Sequence, residues 1–210
     1  MNRNIRNLIV IAIIIVVGPF IMAVTASAEP IKGQYAGIGQ GMAIIAPFGF
    51  KPDSTPSCTD TPQGPACPAI IQTWTGEAVF SFDKDGTGSV TSVISFVTES
   101  FRGPSGIVPP SSGIQKVSFT IHYTVTGEGK ITITADPGTY TAEWISGPNA
   151  KKIYHMNGWA RKGIVAPGDK MIILTSSVAD VVSFIAPVVD MPPTSQVVSN
   201  GTHVLIWQHD

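Results

Sequence analysis

Apolar and polar side chains alternate with period two over most of the chain beyond residue 70. Residues 70–83 put Trp74, Gly76, Ala78, Phe80 and Phe82 on one face, and Thr73, Thr75, Glu77, Val79 and Ser81 on the other. That is the pattern of a strand with one buried face. Val117, Phe119, Ile121, Tyr123 and Val125 alternate with Ser118, Thr120, His122 and Thr124 in the same way. Between such runs stand Asp83-Lys84-Asp85-Gly86-Thr87-Gly88, Gly127-Glu128-Gly129, Asp136-Pro137-Gly138, Gly147-Pro148-Asn149 and Ala166-Pro167-Gly168-Asp169. Glycine supplies the positive φ such turns need, and proline pre-sets a turn's φ. Strands are therefore predicted over residues 70–83, 89–101, 117–125, 130–135, 139–146, 151–161 and 170–177. A last hairpin is predicted over 196–199 and 202–208, with Asn200-Gly201 as a type I′ turn. Residues 30–46, dotted with Gly33, Gly37, Gly39 and Gly41, read as a kinked first strand. Residues 178–190 fit a short helix or another strand.

Consecutive hairpins favour antiparallel neighbours, and a long meander hides its edges by closing on itself. The expected fold is all-β, an antiparallel up-and-down β-barrel of about eight to ten strands; a two-sheet β-sandwich is the alternative. A barrel embedded in lipid would need an unbroken apolar outer band. The second faces here carry Ser118, Thr120, His122, Thr124, Thr132 and Thr134 instead.

Ahead of this domain, an apolar run from Leu8 to Val24 follows Arg3 and Arg6 and ends at Ala26-Ser27-Ala28. This reads as an export signal over residues 1–28. Cleavage after Ala28 would leave residues 29–210 as a single β-barrel domain, periplasmic or secreted. The alternative is an uncleaved anchor in the inner membrane through residues 8–24, which Gly18-Pro19 interrupts. Loss of the leader removes two of the 13 Lys and Arg residues and none of the 14 Asp and Glu, leaving a net charge of −3. With no basic cluster beyond Lys151-Lys152, nucleic acid is excluded as a partner. Cys58 and Cys67 lie in a stretch over 47–69 rich in proline, serine and threonine. In an exported protein they are expected to form a disulfide stapling that loop, adding roughly 2.5–3 kcal/mol.

Two segments carry a family resemblance. They are Phe82-Asp83-Lys84-Asp85-Gly86-Thr87-Gly88-Ser89-Val90-Thr91 and Tyr123-Thr124-Val125-Thr126-Gly127-Glu128-Gly129-Lys130-Ile131-Thr132-Ile133-Thr134. Their rhythm resembles that of calycin/lipocalin-like barrels among uncharacterised exported bacterial proteins. Gly33-Gln34-Tyr35 stands where lipocalins carry Gly-x-Trp, with tyrosine replacing tryptophan, and the last strand lacks the arginine that normally packs on it. The resemblance implies a barrel with an interior cavity and supplies no activity.

The chemistry-bearing residues are sparse. Asp83-x-Asp85-Gly86 lacks the further ligands of a calcium loop. No H-E-x-x-H and no G-x-S-x-G occurs. Neither a metal, a cofactor nor a catalytic residue is therefore assigned. The run Ile153-Tyr154-His155-Met156-Asn157-Gly158-Trp159 has two readings. Either Ile153, His155, Asn157 and Trp159 share an inward face, or Tyr154, Met156 and Ala160 face the core while His155 and Asn157 meet solvent. Taken in the first way, Trp74, Tyr123, Trp144, His155 and Trp159 would line a pocket for one small apolar or amphipathic molecule. The expected function is an exported ligand-binding barrel. The alternatives are a barrel-type cyclase or isomerase using His155, Glu143 or Glu77 as acid or base, and a structural cell-envelope protein with a solid core. Oligomeric state is left open.

Overall fold

The computed structural model describes residues 30–208, apart from 63, 104–105, 177–179 and 186–193. The leader predicted over residues 1–28 and parts of the ambiguous 178–190 segment lie outside the described residues. No helix occurs among those described. The strands are β1 (Gly33–Ala46), β2 (Thr59–Thr61), β3 (Gly64–Ala66), β4 (Ile70–Phe82), β5 (Thr87–Thr98), β6 (Phe101–Gly103), β7 (Gly106–Val108), β8 (Ser111–Val125), β9 (Lys130–Ala135), β10 (Tyr140–Trp144), β11 (Ile153–Asn157), β12 (Ala160–Val165), β13 (Met171–Thr175), β14 (Asp180–Ile185) and β15 (Thr194–Trp207).

Five of them, β1, β4, β5, β8 and β15, run the length of the molecule. The remaining wall is made of pairs: β9 with β10, β11 with β12, and β13 with β14 follow one another as interrupted strands. At one level β8 continues through β9, β12 and β13 to β15; at the other it continues through β10, β11 and β14 to β15. Every neighbour is antiparallel, and β15 returns to β1 through twelve residue pairs, from Tyr35↔Trp207 to Ala46↔Gln196. The result is an eight-strand, up-and-down ring. β2–β3 and β6–β7 are small hairpins outside it.

The period-two pattern places one face of each strand inside. Along β8, Val117, Phe119, Ile121 and Tyr123 are buried while Ser118, Thr120, His122 and Thr124 are exposed. The two ends differ. At one, tight turns close the ring over a large cluster that includes Ile31, Tyr35, Phe80, Phe82, Ile121, Tyr123, Ile133, Leu174 and Leu205. Tyr35 Oη donates to Asp169 O at 2.5 Å. Tyr123 Oη lies 2.5 Å from Ile31 O and 2.6 Å from Asp83 O, sharing its one proton between them. Burial first, then nearby aspartates, pushes both phenols up to about 12, so they remain donors at any physiological pH. At the other end the loops are long and the cluster is small: Ala43, Ile45, Ile70 and Val197, with Phe101, Tyr154 and Met156 against them. The Cys58–Cys67 disulfide brackets the β2–β3 hairpin there.

One local expectation is corrected. Asn200-Gly201 is not a hairpin turn, because β15 runs straight through it, pairing Asn200 with Met42 and Gly201 with Gly41. Alternation continues unbroken across the site, with Val197, Gly201, His203 and Leu205 inward. Gly201 serves as room rather than as a turn: a Cβ there would sit 2.3 Å from the Trp74 ring. Gly39 does the same for His203, whose ring would lie 2.4 Å from an added Cβ.

That geometry sets a test. Gly39→Val should cost about 1–3 kcal/mol through overpacking, because Trp74 and Phe80 hold the His203 ring in place. Thermal denaturation reads this as a fall of roughly 2–4 °C per kcal/mol. Unchanged melting would show that His203 does not occupy the space above Gly39.

Candidate binding groove and barrel waist

The outer face of the long-strand wall carries a dent beside the inward-facing Gly41, Gly113 and Gly201. The dent is an open groove of about 1090 Å³ crossing β15, β1, β4, β5 and β8. Gly41, Gly113 and Gly201 form its floor, with Trp74 and Phe96 reaching it from the inner side. Strand register arranges its walls in two cross-strand rows. One runs Thr202–Gln40–Thr75–Ser95 and presents hydroxyl and amide groups at the roughly 4.8 Å strand spacing. The next runs Asn200–Met42–Thr73–Val97–Ser112 and adds exposed apolar surface at Met42 and Val97. None of the lining residues is charged. A ligand here would meet hydrogen-bonding groups along both rows and apolar surface at Met42 and Val97, with no charged side chain in the lining.

Inside, halfway along the barrel, the interrupted strands break side by side. Ala135 N donates to Trp159 O at 2.9 Å, and Gly138 N donates to Asn157 Oδ1 at 3.0 Å, joining two of the breaks. At this waist the core turns polar. Arg161 is buried, with its guanidinium carbon 4.9 Å from the Trp159 ring centre. Its Nη1 donates to Ala160 O at 2.7 Å and its Nη2 to Ser199 Oγ at 3.5 Å. His203 is buried against Trp74 and Phe80, with ring centres 5.4 and 6.1 Å apart respectively. Its Nδ1 and the hydroxyls of Ser176 and Ser195 have no hydrogen-bond partner among the described residues. Nearer the long-loop end, Tyr154 Oη donates to Gln115 Oε1 at 2.6 Å. Burial, above all, holds the Tyr154 phenol well above its usual range. No carboxylate is among the buried polar side chains described, which are Thr98, Gln115, Arg161, Ser195 and His203.

The five predicted lining residues are dispersed. Trp74 is half-buried and touches both groove and waist. Trp159 is buried between Phe80 and Phe119 on the waist's apolar side. Trp144 packs edge-on against Phe96, 4.6 Å between ring centres. Tyr123 plugs the sealed end and is far from any opening. His155 is corrected: it faces outward and is exposed, while Tyr154 and Met156 point in. The cause is a change of parity at Gly158, whose φ of 87° inserts a kink before Trp159. Trp159 and Arg161 thereby share the inside with Met156 rather than with His155. Glu77 and Glu143 are likewise exposed on the outer face, so none of the three acid–base candidates reaches the interior.

His203 and Arg161 were missed. Both were within reach of parity counting: His203 follows Val197 by six residues, and Arg161 stands between Trp159 and Val165. Treating Asn200-Gly201 as a turn broke the first series, and the Gly158 kink hid the second.

No family model matches the chain, and no curated protein matches it. Among solved structures, the enduracididine biosynthesis enzyme MppR, complexed with the condensation product of pyruvate and imidazole 4-carboxaldehyde, is 13% identical over 85% of this chain and 89% of that one. The TM-score is 0.17, too low to support any argument about fold or activity. Among the described residues no group of three or more His, Cys, Asp or Glu side chains is placed to hold a metal. Nor is any helix long and apolar enough to cross a membrane, which says nothing of strands.

The waist has a pH signature. Burial, reinforced by the Arg161 charge, lowers the His203 pKa from 6.5 to about 4. The unfolded chain therefore takes up this proton below about pH 6.5 and the folded protein only near pH 4. Stability from this residue is complete above pH 6.5, falls by up to roughly 3 kcal/mol as pH drops to 4, and is level below. Urea denaturation across that window should show the fall in the wild type, and His203→Phe should flatten it. An identical slope in both proteins would place His203 in water.

Proposed function

We propose that this protein is an exported β-barrel that binds a small uncharged amphipathic molecule, and that the molecule sits in the outer groove rather than in the barrel's centre. One observation carries the reading: a concavity of about 1090 Å³ lined on one row by hydroxyl and amide groups and on the next by Met42 and Val97 among Asn200, Thr73 and Ser112, without a charge. Its size reaches the upper end of the usual range for small-ligand sites. Three further features support it. The sealed end is filled by side chains and leaves the interior little room beyond the waist. The Cys58–Cys67 disulfide is compatible with an oxidising, exported setting. Trp74 and Phe96 add aromatic surface to the groove from its inner side. The groove acts by shape and hydrogen bonding, so it binds and does not transform.

Amide chemical-shift mapping with octyl glucoside below its micelle concentration tests the proposal. Shifts should concentrate at residues 40–42, 73–75, 95–97 and 200–202, and Val97→Arg should weaken binding at least tenfold. Dodecyl sulfate monomers should gain nothing from their charge in the wild type. Shifts confined to the long-loop end, or none at all, would overturn the groove as the site.

A further inference from the structure

The outer wall next to the groove carries an apolar face without a ligand's concavity. Two cross-strand rows build it. One runs Val79–Ala36–Ile206–Met171; the other runs Ile38–Val204–Ile173–Ile164. Ile38 is 66% exposed, Ile164 60% and Ile206 56%; Ile173, Val79, Val204 and Met171 are also well exposed. Together they offer on the order of 600 Å² of apolar surface, as large as the biggest patch most monomers tolerate. They are contiguous in the ladder, so this is one face and not a scatter of single residues.

We propose that this face is the interface of a homodimer in which two barrels lie side by side with β15 of each at the centre and their axes parallel. Three observations select a second copy over other occupants. A lipid surround would require an apolar band on every side, whereas the opposite wall, on β8 and β9, presents Ser118, Thr120, His122, Thr124 and Thr134. The available area fits one partner: a standard interface needs about 800 Å² from each side, with an apolar centre and a polar rim. Gln40, Thr75, Thr175 and Thr202 border the apolar rows and supply such a rim. Finally, the two flanks carry opposite charge at equal distances from β15. Glu77 stands two strands away on β4, and Lys162 two strands away on β12. A two-fold axis parallel to the barrels sets the Glu77 flank of one copy against the Lys162 flank of the other. The antiparallel alternative sets like against like. The centre of the interface is therefore Val204, close to the two-fold axis, with Ile38 and Ile206 beside it.

Sedimentation equilibrium and one cysteine variant test this. The oxidised wild-type protein should sediment as a dimer at micromolar concentration. Ile38→Glu combined with Ile206→Glu should raise the dissociation constant at least a hundredfold while leaving the far-ultraviolet circular dichroism spectrum unchanged, the fold of the single barrel being intact. Val204→Cys should form a disulfide-linked dimer on mild oxidation, and Thr120→Cys on the opposite wall should not. A monomer at 100 µM, a dimer indifferent to the double substitution, or equal cross-linking at Thr120→Cys would overturn the proposal. So would a protein that stays monomeric and instead floats with neutral phosphatidylcholine vesicles. Gln40, Thr75 and Thr202 belong both to the groove and to this rim, so the octyl glucoside shifts at residues 95–97 and at 200, outside the rim, are the ones that report the groove.

Discussion

The pairing of β15 with β1 is the constraint on which the rest depends. It turns a meander with two raw edges into a ring, satisfying backbone donors and acceptors that would otherwise invite pairing with other chains. It also fixes what lies inside. Side-chain direction alternates along every strand, so a slip of one residue in this ladder would carry His203 and Leu205 outward and bring Val204 and Ile206 in. Closure around eight strands leaves a narrow centre, and that narrowness explains the glycines on the inner face of β1. They are not there for unusual backbone angles, since Gly39 and Gly41 have no positive φ. They are there because Trp74 and His203 fill the space in front of them.

The filling is uneven along the barrel. One end is a dry aromatic and aliphatic plug whose two tyrosines donate to loop carbonyls. The waist holds a guanidinium and an imidazole, which are costly to bury unless partnered and positioned. Arg161 is held by a carbonyl, a serine hydroxyl and a tryptophan face; His203 meets the cost by staying neutral. Gly41 and Gly201, which make room inside for the Trp74 ring, also line the outer groove. The groove and the packed waist thus meet at these positions, which is why Trp74 takes part in both.

Most of the architecture was legible in alternation and turn chemistry. The strands at 70–83 and 117–125, the turns at 83–86, 127–129, 136–138 and 166–169, the disulfide pair and the closed up-and-down barrel all follow from local rules. The errors came where local rules have two solutions. Asn-Gly favours a tight turn in isolation, but a long strand accepts it when a tryptophan from β4, two strands away, needs the vacancy. Gly158 reversed the parity of one segment, so His155 and Trp159, two strand steps of two apart in sequence, ended on opposite faces. The candidate site was harder to read than the fold, because its groove is assembled from residues of five strands and no single segment encodes it.

Hydrogen exchange at the β1 and β15 amides tests the closed ring most directly. Successive amides of a strand point to alternate neighbours, so in a closed barrel both sets on β1 are held. The account predicts that residues 35–46 and 196–207 all exchange as slowly as the central β4 and β5 amides. Rapid exchange of every second amide along β1 and β15, with the others protected, would mean an open edge between them and would contradict the barrel.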